Sequence, residues 1–244
     1  MFTQPASSAD ADIVTSSAVA MMDRLTPADI SDDPFPHFVV KNALPPELAE
    51  QLLAAFPDEA AFDADPAYDG KRHRIYGLAN ERLDASAEAG EVIKAFCRTL
   101  REPAFADRMV SLFAGHIRRA YPKLDLSDIR RNMKASGKIN ISAALADDAS
   151  IARGPHLDNP LTLFTMLIYL RRKDDRTQGG DLQLYAPHDP GFQFDEKGRE
   201  LPTEVATVIK TIPYEHNTAV AFMNGPLAFH GVSLRQATSY PRTT

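Results

Sequence analysis

The chain carries a single cysteine, Cys97, among 244 residues, so no intramolecular disulfide can hold its fold. Its place in a helix-like stretch reads as a small buried residue. No run approaches the ~18 apolar residues that span a bilayer. Met1 to Ala20 lacks the basic start and unbroken apolar centre of a signal peptide. A cytoplasmic protein with no membrane partner is therefore expected, in a reducing compartment. Basic residues are outnumbered, 27 Lys and Arg against 33 Asp and Glu, for a net charge of -6 and a pI near 5.6. Binding to a phosphate backbone needs clustered cations, so no nucleic-acid partner is expected. The run Lys71-Arg72-His73-Arg74 reads as solvated surface. Also missing are internal repeats, a glycine-rich phosphate loop and a Gly-x-Ser-x-Gly nucleophile elbow, which excludes a hydrolase built on that elbow.

What is present is ordinary in amount, 44% hydrophobic and 25% charged, and the length suits one large domain. Residues 1–33, rich in Ala, Ser, Asp and Thr, are expected to form a mobile N-terminal tail, and 34–244 a single domain. Within it, residues 34–135 are expected to supply an opening strand, helices and a lid loop. The strand covers Pro34 to Lys41, and Pro45-Pro46 then starts a helix with Leu48, Leu52, Leu53 and Phe56 on one face. The polar stretch 57–82 is long enough to be a lid, which makes Arg72, Arg74 and Tyr76 candidate substrate contacts. Apolar stripes predict helices over 87–100 and 103–121. From Lys138 the period becomes that of strands. Helices followed by a run of strands imply a mainly β fold with flanking helices, its core (136–244) closed as a double-sheet jelly roll.

The core opens on Arg153-Gly-Pro-His156-Leu-Asp158-Asn159-Pro160. On an extended segment His156 and Asp158 point to one face, because side chains alternate with a period of two. A second imidazole, from Phe229-His230-Gly231-Val232, completes two nitrogens and one carboxylate. That set holds non-haem Fe(II) on one face and leaves the other open. The remaining histidines are set aside: His37 and His116 as packed residues, His188 and His216 as exposed ones in a long connection and a turn.

Between the two motifs lie an apolar β-rich run, Leu161 to Leu170, then Gly179-Gly180-Asp181-Leu182, and after His230-Gly231-Val232 the chain reaches Arg242-Thr243-Thr244. This order resembles the Fe(II)- and 2-oxoglutarate-dependent dioxygenase superfamily, in the bacterial branch similar to prolyl 4-hydroxylases. The resemblance implies a double-stranded β-helix core, with His156, Asp158 and His230 as catalytic iron ligands. It implies Fe(II), 2-oxoglutarate and O2 as cofactor and co-substrates, and hydroxylation of a small-molecule or peptidyl substrate with release of succinate. The far carboxylate of 2-oxoglutarate is expected on Arg242, assisted by Thr244, while Arg235 is expected in a turn near the mouth. Arg153 is a candidate for a substrate carboxylate. Because Asp158 is present, halogenation is not expected. Two alternatives stay open: a cupin-like metal enzyme that does not use 2-oxoglutarate, and a jelly-roll binding module without activity. A zinc hydrolase would share the ligand set, but no acidic general base stands at a recognisable spacing.

Overall fold

The computed structural model describes residues 17, 20–58, 61–62, 75–142, 149, 153–189, 192 and 199–244. The chain groups into two compact units: Met1–Ile30, Asn42–Asp63 and Tyr76–Asn140 form the first, and Ser31–Lys41, Ala64–Ile75 and Ile141–Thr244 the second.

The first unit is mainly helical. Helix α1 (Pro46–Ala54) starts on its proline and buries Leu48, Ala49 and Leu52. Strand β2 (Ile75–Ala79) leads directly into α2 (Asn80–Ala85). The end of the stretch expected to be irregular is thus regular structure. Helix α3 (Glu91–Leu100) buries Ile93, Phe96 and Cys97, and burial pushes the Cys97 thiol up to about 12, which makes it inert. The apolar stripe expected as one helix over 103–121 is two, α4 (Pro103–Leu112) and α5 (Ala114–Ala120), which meet at the fully buried Phe113. A further helix, α6 (Leu126–Asn132), has Asp125 as its cap, accepting from the Ser127 amide at 2.7 Å. Within the stretch expected to be a mobile tail, Met21, Met22, Leu25 and Ile30 are buried while most of their neighbours are exposed. Met21 and Met22 are each 1% exposed, and the Arg108 guanidinium donates to the Leu25 carbonyl at 2.8 Å. These apolar side chains, spaced within a polar segment, bury themselves as the core residues do.

The second unit is sheet-rich. One sheet has the order β1 (His37–Lys41), β7 (Thr218–Met223), β4 (Phe164–Tyr169); the other has β6 (Ala206–Ile212), β5 (Leu182–Pro187), β8 (His230–Val232). All these pairs are antiparallel. At the far edge of β4, the Leu170 amide donates to the Thr243 carbonyl in β9 (Arg242–Thr243). β9 in turn pairs with the Ile141–Ser142 end of β3 (Lys138–Ser142). Both sheets contribute to one core: Tyr169, Val220 and Phe222 from the first, Leu182, Leu184 and Ile212 from the second. Side chains of each strand point alternately to its two faces, which sets these residues on the facing surfaces.

Register sorts the interior into rows, because directly paired residues share a face. In the first sheet Thr165, Phe222 and His37 form one row, then Leu167, Val220 and Val39, then Tyr169, Thr218 and Lys41. In the second sheet His230, Leu184 and Lys210 form one row, then Val232, Leu182 and Ile212. The first rows of the two sheets meet: the Phe222 and His230 rings lie 4.5 Å apart, and Lys210 Nζ is 2.9 Å from His37 Nε2.

His37 is fully buried, a packed histidine as expected from the sequence. Its Nδ1–H donates to the Phe35 carbonyl at 2.8 Å, which leaves Nε2 to accept from the Lys210 ammonium. Protonation would set two cations against each other. Burial, and then Lys210, hold the His37 pKa below its ordinary value, although the Phe35 carbonyl and Asp33 pull the other way. Below about pH 6.5 the unfolded chain takes up a proton that the fold refuses. This contribution to stability is therefore complete above that pH and lost as pH falls towards the depressed native value. The urea midpoint is expected to drop between pH 7.5 and 5.5, and to drop less in His37→Gln. Identical pH profiles for the two proteins would remove His37 from the account.

Candidate metal centre

The centre is built on a short bridge. The His156 amide donates to the His230 carbonyl at 2.8 Å, and the His230 amide donates back at 3.0 Å. On the other side Leu157 N–H donates to Arg199 O at 2.7 Å, and Leu201 N–H to Pro155 O at 2.9 Å. Bonded on both edges, residues 155–157 are extended, so His156 and Asp158 face one way. The approach of the two strands requires Gly231. A Cβ there would lie 2.9 Å from the Gly154 carbonyl carbon and 3.1 Å from the Arg153 oxygen.

Each imidazole is oriented through its other nitrogen. His156 Nδ1–H donates to Gly154 O at 2.8 Å and His230 Nδ1–H to Ala228 O at 3.0 Å, which leaves both Nε2 atoms for a ligand. Asp158 Oδ1 lies 3.8 Å from His156 Nε2 and 3.6 Å from His230 Nε2, and all three donors fall within 4.8 Å of one another. Donors bound at right angles about 2.1 Å from an ion sit ~3 Å apart, so slight side-chain rotation closes this set on a metal. The other carboxylate oxygen, Oδ2, accepts the Thr165 hydroxyl, and Thr165 accepts from Asn224 Nδ2 at 3.0 Å.

The electrostatics favour the ligating forms. Burial, the neighbouring His230 and the Arg153 charge lower the His156 pKa to about 3. Asp158 stays well below the usual carboxylate range: burial would raise it, but His230, Thr165 and His156 outweigh that. Residues able to give two neutral nitrogens and one carboxylate therefore converge here, and the donor set fits a divalent transition metal.

One row beyond Leu167 in β4, Tyr169 stands beside a buried cation. Arg242 is 7% exposed, its Nε–H donates to Gly180 O at 2.8 Å, and its guanidinium stands 5.0 Å from each of the Tyr169 and Tyr214 rings. One terminal nitrogen of Arg242 and the Tyr169 hydroxyl are buried without a hydrogen bond of good geometry. Burial pushes the Tyr169 phenol up to about 12, against the pull of Arg242. Arg235 is not near a mouth, as expected from its turn, but 6% exposed and committed elsewhere: it donates to Asp175 Oδ2 at 2.9 Å and to Tyr240 O at 2.8 Å. Asp175 also accepts from Arg171 Nε at 3.2 Å. Asp175 is the residue missed in sequence, where it sits in a polar turn that gives no sign of burial.

Thr244 is half-buried, and it is the neighbouring Thr243 whose hydroxyl is used structurally, donating to Leu170 O. Arg153 is half-buried beside His156, close enough to depress its basicity. Arg72 and Arg74 lie outside the described residues, and Tyr76 is described only by its backbone in β2. His188 is exposed, whereas the ring nitrogens of His216, expected to be exposed, are buried. Thr165 and Asn224 were legible only as polar residues at the edges of apolar strands.

No protein-family model and no curated protein matches this chain. Several solved structures are similar to it. A prolyl-4-hydroxylase from Pseudomonas putida is 13% identical, over 89% of this chain and 94% of that one, with a TM-score of 0.47. A prolyl 4-hydroxylase from Phytophthora capsici is 12% identical, over 99% and 65%, with a TM-score of 0.45. The Fe(II)/α-ketoglutarate-dependent dioxygenase TqaL is 10% identical, over 96% and 97%, with a TM-score of 0.35.

Removal of one ligand should exceed the 10–100-fold that loss of an outer-shell partner typically costs in metal affinity. In a Co(II) titration of metal-free protein, His156→Ala is expected to bind at least ~100-fold more weakly. Arg153→Ala should stay within a few-fold of the parent. Unchanged affinity in His156→Ala would rule out this centre.

Proposed function

We propose that this chain is an Fe(II)- and 2-oxoglutarate-dependent oxygenase that hydroxylates a C–H bond of a small-molecule or peptidyl substrate. The facing sheets are read as its double-stranded β-helix. The observation that carries the proposal is the pairing on one interior of three convergent donors with a buried guanidinium, Arg242, that has no carboxylate partner among the described residues and stands two rows deeper. A metal alone would account for the first. An anionic co-substrate would account for the second as well.

In this reading His156 Nε2, His230 Nε2 and Asp158 Oδ1 hold the iron, and the metal supplies the site at which oxygen and 2-oxoglutarate are activated. Arg242 holds the far carboxylate, where a planar fork suits two oxygens better than a point charge does. The half-buried Leu167 and Val232 would line the apolar middle of the co-substrate and keep water from it. Tyr169, protonated throughout the physiological range, is able to donate a second hydrogen bond to the same carboxylate. Arg153 brings positive charge to the neighbourhood of His156 and is the candidate for an anionic part of the substrate. The overall reaction balances as 2-oxoglutarate plus O2 plus R–H giving succinate, CO2 and R–OH. One oxygen atom enters each of the succinate and the alcohol. No helix among the described residues is long and apolar enough to cross a membrane. A reducing cytoplasm, which keeps iron ferrous, suits the proposal.

Anaerobic loading with Fe(II) and 2-oxoglutarate, followed by O2, is expected to release succinate, even without substrate at a slow uncoupled rate. Arg242→Gln should raise the 2-oxoglutarate concentration needed by tenfold or more, about 1.4 kcal/mol of lost charge-assisted bonding. The Arg235→Gln variant should be affected mainly in stability, since its partner is Asp175. A 2-oxoglutarate requirement that moves with Arg235 and not with Arg242 would sink the assignment. Metal binding without any succinate would favour a cupin-like enzyme.

A further inference from the structure

Resting on the metal reading above, we infer that Thr165, aimed by Asn224, is a positioning residue that makes Asp158 a ligand through one oxygen only. The carboxylate is divided between two tasks. Oδ1 faces both imidazole Nε2 atoms, at 3.8 and 3.6 Å, while Oδ2 is engaged by the Thr165 hydroxyl. A hydroxyl has a single hydrogen to give. Because Asn224 Nδ2 donates to Thr165 Oγ1 at 3.0 Å, one of the hydroxyl's lone pairs is occupied and its hydrogen is left for Asp158.

Asn224 is itself fixed. It is 8% exposed, follows the last residue of β7, and its backbone N–H donates to Leu163 O at 2.9 Å. Thr165 lies in β4 opposite Phe222, in the row that meets His230. The relay is thus built into the β4–β7 pairing, and the carboxylate cannot turn both oxygens inward without breaking it.

The consequence is a coordination number. An octahedral ion held by three side-chain atoms keeps about three positions, and a two-oxygen Asp158 would leave about two. A co-substrate that binds through two atoms and one further small molecule need three. Thr165 therefore decides whether the site admits both together.

The test uses metal alone. Mn(II) is titrated into metal-free wild-type protein, Thr165→Val, Thr165→Ser and Asn224→Ala, reading affinity together with the water-proton relaxation contributed by waters on the ion. Thr165→Val, nearly the same shape without the donor, is expected to bind roughly 10–100-fold more weakly. It should also lose about a third of the inner-sphere relaxation, as three waters become two. Thr165→Ser should restore both readings, and Asn224→Ala should fall between. If Thr165→Val does not fold, Thr165→Ala provides the same two readings. Wild-type relaxation per bound ion in Thr165→Val would overturn the positioning role while leaving the metal centre standing. Absence of Mn(II) binding by the wild-type protein would overturn the metal centre, and this inference with it.

Discussion

Two reciprocal backbone hydrogen bonds between His156 and His230 are the constraint on which the site depends. They join positions 230 - 156 = 74 residues apart, so the chain must complete β4 to β7 before the second imidazole can meet the first. Closing a loop of that length costs entropy that two hydrogen bonds of about 1 kcal/mol each do not repay. The surrounding core supplies the rest. Tyr169, Tyr214, Phe222 and Phe229, each at most 1% exposed, are large enough to contribute roughly 2–3 kcal/mol apiece. Phe222 does so while touching the His230 ring itself. Apolar burial thus helps to hold the donors within reach of each other.

Buried cations show the same division between structure and task. Left unpaired, a buried guanidinium costs several kcal/mol. Arg235 and Arg171 share Asp175, whose carboxyl is held below its ordinary range by Thr177 and Arg171 despite burial. Arg242 has no described carboxylate; two aromatic rings and the Gly180 carbonyl offset its charge only in part. Gly179 and Gly180, both at positive φ, let the chain turn tightly against Leu234 and Arg235, and a side chain at Gly179 would run into the Leu234 carbonyl. The tight turn and the uncompensated charge therefore meet in the same place.

Much of this was legible in sequence because it is periodic. Period-two alternation placed His156 beside Asp158, the strand expected over Pro34 to Lys41 and the β-rich run Leu161 to Leu170 correspond to β1 and β4, and the change of period at Lys138 falls at the start of β3. What escaped was set by partners far along the chain. Nothing local distinguishes Asp175 from Asp174, yet one is 5% exposed beneath two arginines and the other is solvated. Met21 and Met22 sit in a polar segment whose burial only tertiary contact decides. The break at Phe113 interrupts a stripe whose periodicity continues across it, so pattern alone could not end α4 there. Arg235 was expected in a turn near the mouth, yet it is buried; that its segment folds inward depends on Asp175, 60 residues earlier.

Charge in the interior connects these observations. As ligands, His156 and His230 are neutral and Asp158 carries one negative charge. A divalent ion on that set leaves one positive charge at the first row, and Arg242 adds a second at the deeper end. In register, the row between them carries the apolar side chains Leu167, Val232 and Leu182, which can neither screen nor solvate a charge. Two separated positive charges in a low-dielectric interior repel each other and resist desolvation. A single dianion with its charges at its two ends relieves both at once, whereas a monoanion leaves one end exposed. Within the proposed reading, selectivity for a dicarboxylate over a simple keto acid follows from the spacing of the two rows, and the apolar row between them is what makes the discrimination strong.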